Sequence, residues 1–437
     1  MGRMEIPLNE YLQMLLDTVG EDEGAVASYI PELAHADPDR LAIAVVTLDG
    51  DVYAAGDADV EFTIQSISKP FSYALAIADQ GLDAVLEKID VEPSGDAFNE
   101  FSLDADTGRP RNPMINAGAI TAHALVRGED ADARMNRILD FYSRLAGRDL
   151  AIAEDVLASE LSAADRNTAL AYMLRTVGVL DGPALDAVQG YTRQCAVSVT
   201  VRDLARMAAV LAAGGVTPSG ERLLGPDVNR QVLSVMTTCG MYNSAGDWLT
   251  TVGIPAKSGV AGGVMGVLPG QVGIAVFSPR LDPHGNSSRG VRLFERMNHD
   301  LGLHLLNVTA SPPSVSRRFE VDGVVVHEIA GDLQFIESER VLRAFAAEPA
   351  GEVAIVLDFD GVHRVNDIAK RMLLEGIRRL HLDGHDVRIV DPWGVLGTAE
   401  TGTGELVRGE QARGGYAPTL FPDVTSAVRG RTTPQPR

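Results

Sequence analysis

Cysteine, cationic charge and long apolar runs are all in short supply in this chain. Only two cysteines, Cys195 and Cys239, occur in 437 residues. Two sulfurs build no framework of bridges and form no zinc-ligand pairing, which excludes a disulfide-stapled secreted scaffold and a cysteine-held zinc. Lysine and arginine total 38 against 60 aspartates and glutamates, a net charge of -22 with a pI near 4.8. So acidic a surface argues against a polyanion such as DNA or RNA as partner, and against docking on an anionic membrane. No apolar run reaches the length of a membrane span, since the Gly-rich stretch 252–277 is broken by Lys257. The opening "MGRMEIPLNEYLQMLL" lacks a cationic start, an apolar core and a small-residue cleavage site. An export signal is therefore not expected, and the cytoplasm is the expected compartment. There is no internal repeat, and nothing calls for a metal or a cofactor.

What remains is an ordinary globular composition, 45% hydrophobic and 22% charged, long enough for two or three domains. The first helix is expected near Leu8 to Val19. "LAIAVVTL" (41–48) reads as a buried strand, and Asp49-Gly50 as a tight turn into a second strand. A third strand reaches Ile64. From about 130 to 235 the periodicity is mostly helical; strands return near 251–278 and a helix closes the region. "NVTASPPSVSRR" (307–318), polar and without period, is a linker. Beyond it, strands alternate with helices up to about 398, the pattern of a small α/β domain. From 399 onward Gly, Thr, Arg and Pro dominate, which predicts a disordered tail over 399–437.

"TIQSISKPF" (63–71) places Ser66 and Lys69 three residues apart where the third strand gives way to a helix. At that spacing the two side chains share a helix face. A serine hydroxyl needs a base to become a nucleophile, and a buried lysine loses enough of its affinity for a proton to serve as one. A capping serine beside a solvated lysine would give the same four letters. "PAKSGVAGG" (255–263) weighs against that, because Lys257-Ser258-Gly259 on a returning strand resembles the Lys-Thr-Gly element that accompanies Ser-x-x-Lys in the penicillin-binding protein and serine β-lactamase fold.

The longer blocks "ASYIPELA" (27–34), "FTIQSISKPF" (62–71), "RNPMINAGAI" (111–120), "SELSAADRN" (159–167), "YTRQCAVSVT" (191–200), "TTCGMYNSAGDW" (237–248), "PAKSGVAGGV" (255–264) and "GNSSRGV" (285–291) closely resemble the serine-dependent glutaminases. That family has the β-lactamase-like fold and hydrolyses L-glutamine to L-glutamate and ammonia. The resemblance spans about residues 5–306. It implies Ser66 as nucleophile, Lys69 as its base and Tyr242 as a proton-transfer aid. The backbone N–H groups of Ser66 and Val260 would form the oxyanion hole. Tyr29, Asn116, Glu160, Asn167 and Tyr191 would hold the amino-acid end of glutamine. That assignment is chemically sensible: Glu160 can pair with an ammonium, and the asparagines and tyrosines can donate to a carboxylate. Glu160 and Asn167 are seven apart and would share a face if they stood on one helix, unless a turn at "SAAD" intervenes. Both cysteines are expected to be packing thiols.

Residues 317–398 resemble a STAS domain through "IAGDLQFIESERV", "VAIVLDFDGVHRVNDIAKRML" and "GHDVRIVD". The resemblance implies a regulatory ligand or protein partner there. Asp367 stands where related anti-sigma antagonists carry a phosphorylatable serine, and it is equally read as a helix N-cap. The expected organisation is a glutaminase domain (5–306) of antiparallel sheet and helical subdomain, a linker (307–316), the α/β STAS-like domain and the tail, assembled as a homodimer or homotetramer. An inactive amidase-like scaffold and a β-lactam or ester hydrolase on the same fold are the competing readings.

Overall fold

The computed structural model describes residues 8–94, 103–307, 315–397 and 418–430. The chain divides between Asn307 and Val308 into two compact units.

In the first unit, β1 (Ala42–Thr47) and β2 (Val52–Gly56) form the expected hairpin around Asp49-Gly50. A short pair, β3 (Phe62–Thr63) with β4 (Ser198–Val199), lies apart from the main sheet. β5 (Ala256–Ser258), β6 (Gly263–Leu268) and β7 (Val272–Phe277) complete a five-stranded antiparallel sheet in the order β2-β1-β7-β6-β5. Alternation sorts the strand residues between two faces. Ile43, Val45, Val264, Ile274 and Val276 pack with Leu12 and Leu15 of the helix Leu8–Thr18 and with Leu293 and Phe294 of the helix Ser288–Leu301. Ala42, Ala44, Val46, Met265 and Ala275 share the larger core with the helix Val201–Ala212 and the helical subdomain. Each large aliphatic chain so buried contributes about 1.5–3 kcal/mol.

The second unit is a mixed five-stranded sheet in the order β12-β11-β10-β9-β8. β8 (Val315–Val321) runs antiparallel to β9 (Val324–Leu333), and β10 (Ala354–Val365), β11 (Asp386–Val390) and β12 (Thr419–Phe421) follow in parallel. The helices Phe335–Ala346 and Asp367–Leu382 cover one face through Val341, Phe345, Leu373 and Ile377. β8 starts inside the stretch expected as linker. Asn366, not Asp367, caps the second helix, its side chain accepting from the Ala369 N–H at 2.7 Å. The expected tail is also corrected in part. Residues 398–417 and 431–437 lie outside the described residues, but between them stand β12 and the helix Val424–Arg429. Their cause is the other face of the sheet: Val324, Val326, Val356 and Val390 need a cover, and Phe421 and Ala427 supply it. Among the described residues no helix is long and apolar enough to cross a membrane.

Candidate active site

After β3 the backbone turns sharply. Gln65 takes the left-handed region at φ 49°, and Gln65–Ser68 form a 3-10 turn that runs straight into the helix Lys69–Gln80. Ser66 is thus on a tight turn, not on the α-helix itself. Three residues per turn stack positions i and i+3, and the Lys69 N–H closes the turn on the Ser66 carbonyl. Lys69 is wholly buried. Its ammonium donates to the Met114 carbonyl at 3.1 Å and to Asn116 Oδ1 at 2.7 Å, both neutral oxygens. Burial pulls its pKa down to about 7.

Tyr242 enters from the far side, after the helix Pro226–Cys239, again with a left-handed backbone at φ 51°. Its hydroxyl donates to the Ser258 carbonyl at 3.0 Å and is hydrogen-bonded by the Ser66 side chain. Burial raises this phenol, and the Ser66 contact opposes the rise. Beneath it, the buried Lys257 lies 4.2 Å from the ring centre and donates to the carbonyls of Gly240 (3.0 Å) and Ser258 (2.9 Å). Burial, aided by the nearby Lys69, holds Lys257 well below an ordinary lysine.

A cavity of about 290 Å³ opens on Ser66, lined also by Tyr29, Asn116, Glu160, Asn167, Tyr191 and Val260. The structure therefore gathers all seven of these sequence-predicted positions around one space, with Lys69 and Tyr242 bonded to its wall. Glu160 closes the helix Glu154–Ser162 and Asn167 opens the helix Asp165–Thr176; a turn at 163–164 separates them, as "SAAD" allowed. Glu160 Oε1 accepts from the Tyr29 hydroxyl at 2.7 Å and from Gln65 Nε2 at 3.0 Å. Burial raises its pKa, and those two bonds resist the rise. Asn116 donates to Asn167 Oδ1 at 3.0 Å and accepts from Tyr191 at 3.2 Å.

Sequence reasoning passed over Gln65 and Arg166, which line the same cavity. Both stand inside blocks quoted above, beside Ser66 and Asn167. Charge was the available signal for Arg166, a cation next to a residue assigned to a carboxylate. Cys195 lines the cavity too, but burial pushes its thiol up to about 11, so it stays protonated. Both cysteines are free and buried. Among the described residues no group of histidines, cysteines and carboxylates is placed to hold a metal ion.

Comparison with known proteins gives the same direction. The glutaminase family model matches residues 24–306. A glutaminase of Corynebacterium glutamicum is 49% identical over 398 residues, 90% of this chain and 96% of its own length. A glutaminase of Trichormus variabilis is 51% identical over 284 residues, 65% of this chain and 85% of its own. A crystal structure of Mglu in its glutamate form superposes with a TM-score of 0.82 at 44% identity, covering 90% of this chain and all (100%) of that one.

Proposed function

The chain belongs to the glutaminase family, and from that premise we propose that it hydrolyses L-glutamine through an acyl-enzyme on Ser66. The observation that carries this reading is a wholly buried lysine, held by neutral oxygens and brought to about pKa 7, one tight turn from a serine that faces the cavity. Neutral Lys69 takes the Ser66 proton as Oγ attacks the side-chain amide carbon. The developing oxyanion is met by the backbone N–H groups of Ser66 and Val260. Tyr242, already bonded to the Ser66 hydroxyl, passes a proton to the departing nitrogen and regains one from the Lys69 ammonium, so the C–N bond breaks, ammonia leaves and both side chains are neutral again. Water then adds to the ester, the C–O bond breaks, and L-glutamate departs with Ser66 reprotonated.

Specificity is assigned to the other end of the cavity. Glu160 would receive the α-ammonium, and its raised pKa marks a buried carboxylate whose charge that cation would stabilise. Asn116, Asn167, Tyr29 and Tyr191 would orient the α-carboxylate, with Arg166 as a cation on the same wall. That Mglu, similar in sequence and structure, is known in a glutamate form supports an amino acid as the ligand.

The second unit is read as a STAS-like regulatory or docking module (about 317–398) joined by a linker (307–316) to the catalytic domain (5–306). Its mixed sheet, with one antiparallel edge strand and helices after β9 and β10, supports that reading. Assembly as a homodimer or homotetramer and a cytoplasmic location belong to the same proposal, and the free thiols agree with a reducing compartment.

The test is ammonia release from L-glutamine by the wild type and Ser66→Ala, with mass spectrometry of quenched enzyme for a glutamyl adduct on the Ser66 peptide. Turnover by Ser66→Ala near the wild-type rate would overturn the mechanism.

A further inference from the structure

Behind the catalytic turn lies a buried polar network that the reaction above does not use. Ser68 stands between Ser66 and Lys69, and both of its polar ends are held. Its carbonyl accepts from the Tyr142 hydroxyl at 2.9 Å, and its Oγ accepts from Gln194 Nε2 at 3.2 Å. Gln194 Oε1 in turn meets Ser72 Oγ at 2.9 Å and His123 Nδ1 at 2.9 Å, and Ser72 Oγ lies 2.6 Å from the Tyr142 hydroxyl. Ser68, Ser72, His123, Tyr142 and Gln194 are all wholly buried. The network draws on four helices: Lys69–Gln80, Asn116–Leu125, Ala131–Ala146 and Ala184–Cys195.

Two of those helices also carry the amino-acid site. Tyr191 is one turn before Gln194, and Asn116 is two turns before His123. One carboxamide, carried on the Tyr191 helix, therefore ties the nucleophile's turn through Ser68 to the Asn116 helix through His123. We propose that Gln194 is a positioning residue for glutamine hydrolysis, fixing the Ser66 turn against the helices that hold the substrate. The Gln65 backbone explains why such an anchor is needed. A non-glycine residue in the left-handed region costs about 1–3 kcal/mol and persists only where its surroundings over-determine it. Ser68 is held at both ends within the same 3-10 turn. His123 completes the clamp from a fixed place, its ring set flush on Gly190, where a Cβ would come within 2.0 Å of Nε2. Burial lowers this imidazole to about pKa 4, so it stays neutral and leaves the clamp uncharged at working pH.

The inference rests on Ser66 being the nucleophile, so Ser66→Ala accompanies every assay. Gln194→Met keeps the length and the apolar fit but removes both hydrogen-bonding atoms; Tyr142→Phe removes one hydroxyl. The readouts are kcat for L-glutamine and the Kd for L-glutamate by calorimetry, below the melting temperature of each variant. The expected result is a kcat lowered by more than about tenfold, with Kd within about threefold of wild type. Ground-state binding survives because the glutamate contacts remain, while the attack geometry does not. A kcat lowered by less than tenfold, or a Kd that weakens in step with kcat, overturns the proposal. If Gln194→Met does not fold, Tyr142→Phe decides by the same criteria. An active Ser66→Ala would instead overturn the acyl-enzyme reading on which it stands.

Discussion

Lys69 in the unfolded chain titrates near its ordinary 10.5, and in the folded protein near 7. Only the neutral amine can accept the Ser66 proton, so kcat/KM should fall as pH drops through about 7. A pH–rate profile flat from 5 to 9 would sink Lys69 as base. The same shift has a stability sign. Between the two pKa values the unfolded chain holds a proton that the folded one does not, so stability rises with pH across that window. Below about 7 the full penalty for burying the ammonium is present. Lys69→Met should therefore abolish turnover yet raise stability, on the order of a few kcal/mol at pH 6 and less at pH 9. Denaturant unfolding at both pH values measures it. Glu160 is the second residue to test. Glu160→Gln keeps the acceptor for Tyr29 and removes the charge assigned to the substrate ammonium. It should raise KM by an amount equivalent to about 2–5 kcal/mol, with a smaller change in kcat. An unchanged KM for L-glutamine would show that the ammonium binds elsewhere.

Among the elements, the helix Asn116–Leu125 shows where sequence reading succeeds and where it stops. Asn116-Ala117-Gly118 could be read from the sequence as a turn; it is the first turn of a helix. Gly118 is there for contact, since a Cβ would sit 2.0 Å from the Asn112 carbonyl. That carbonyl cannot retreat easily, because the Asn112 side chain accepts from the N–H groups of Met114 and Ile115. Gly118→Ala should lower stability by about 2–4 kcal/mol and drag Asn116 out of reach of Lys69. Thermal unfolding and kcat together check this, and a variant matching wild type in both would mean the loop yields. The strands around Asp49-Gly50 were legible because apolar runs and a turn dipeptide are local signals. Ser66 and Lys69 were legible because their spacing is chemistry. The 3-10 geometry at Ser66 and the left-handed Gln65 were not, since glutamine carries no preference for that backbone. Nor was the return of 419–429 to the sheet, where Phe421 and Ala427 matter only because an uncovered face awaits them.

On the scale of the whole chain, every residue of the candidate site precedes the division between Asn307 and Val308. The second unit encloses its own core of Val325, Ile329, Leu357, Phe359 and Leu373 among others. The Trichormus glutaminase matches over 65% of this chain, whereas the Corynebacterium protein matches over 90%. A fragment ending at 307 should therefore fold and keep kcat within about tenfold of the full chain. Ammonia release and solution mass of the two proteins side by side test it. A soluble, monodisperse fragment without activity would make the second unit part of the enzyme. Charge enters at this scale as well. A net -22 over the whole chain disfavours a crowded anionic partner.

Among the described residues, only Gln65, Tyr242 and Asp322 adopt a left-handed backbone without being glycine. Asp322 sits in the hairpin turn between β8 and β9, where such a conformation is common. The other two flank Ser66, and beside them Lys69 is a charge kept out of water. A mutant library sorted only for heat resistance should accumulate glycine or asparagine at 65 and 242 and an apolar chain at 69. The same library sorted for ammonia release should reject all of those changes. The positions at which the two sorts disagree in sign would trace the active site by themselves, with no substrate complex in hand.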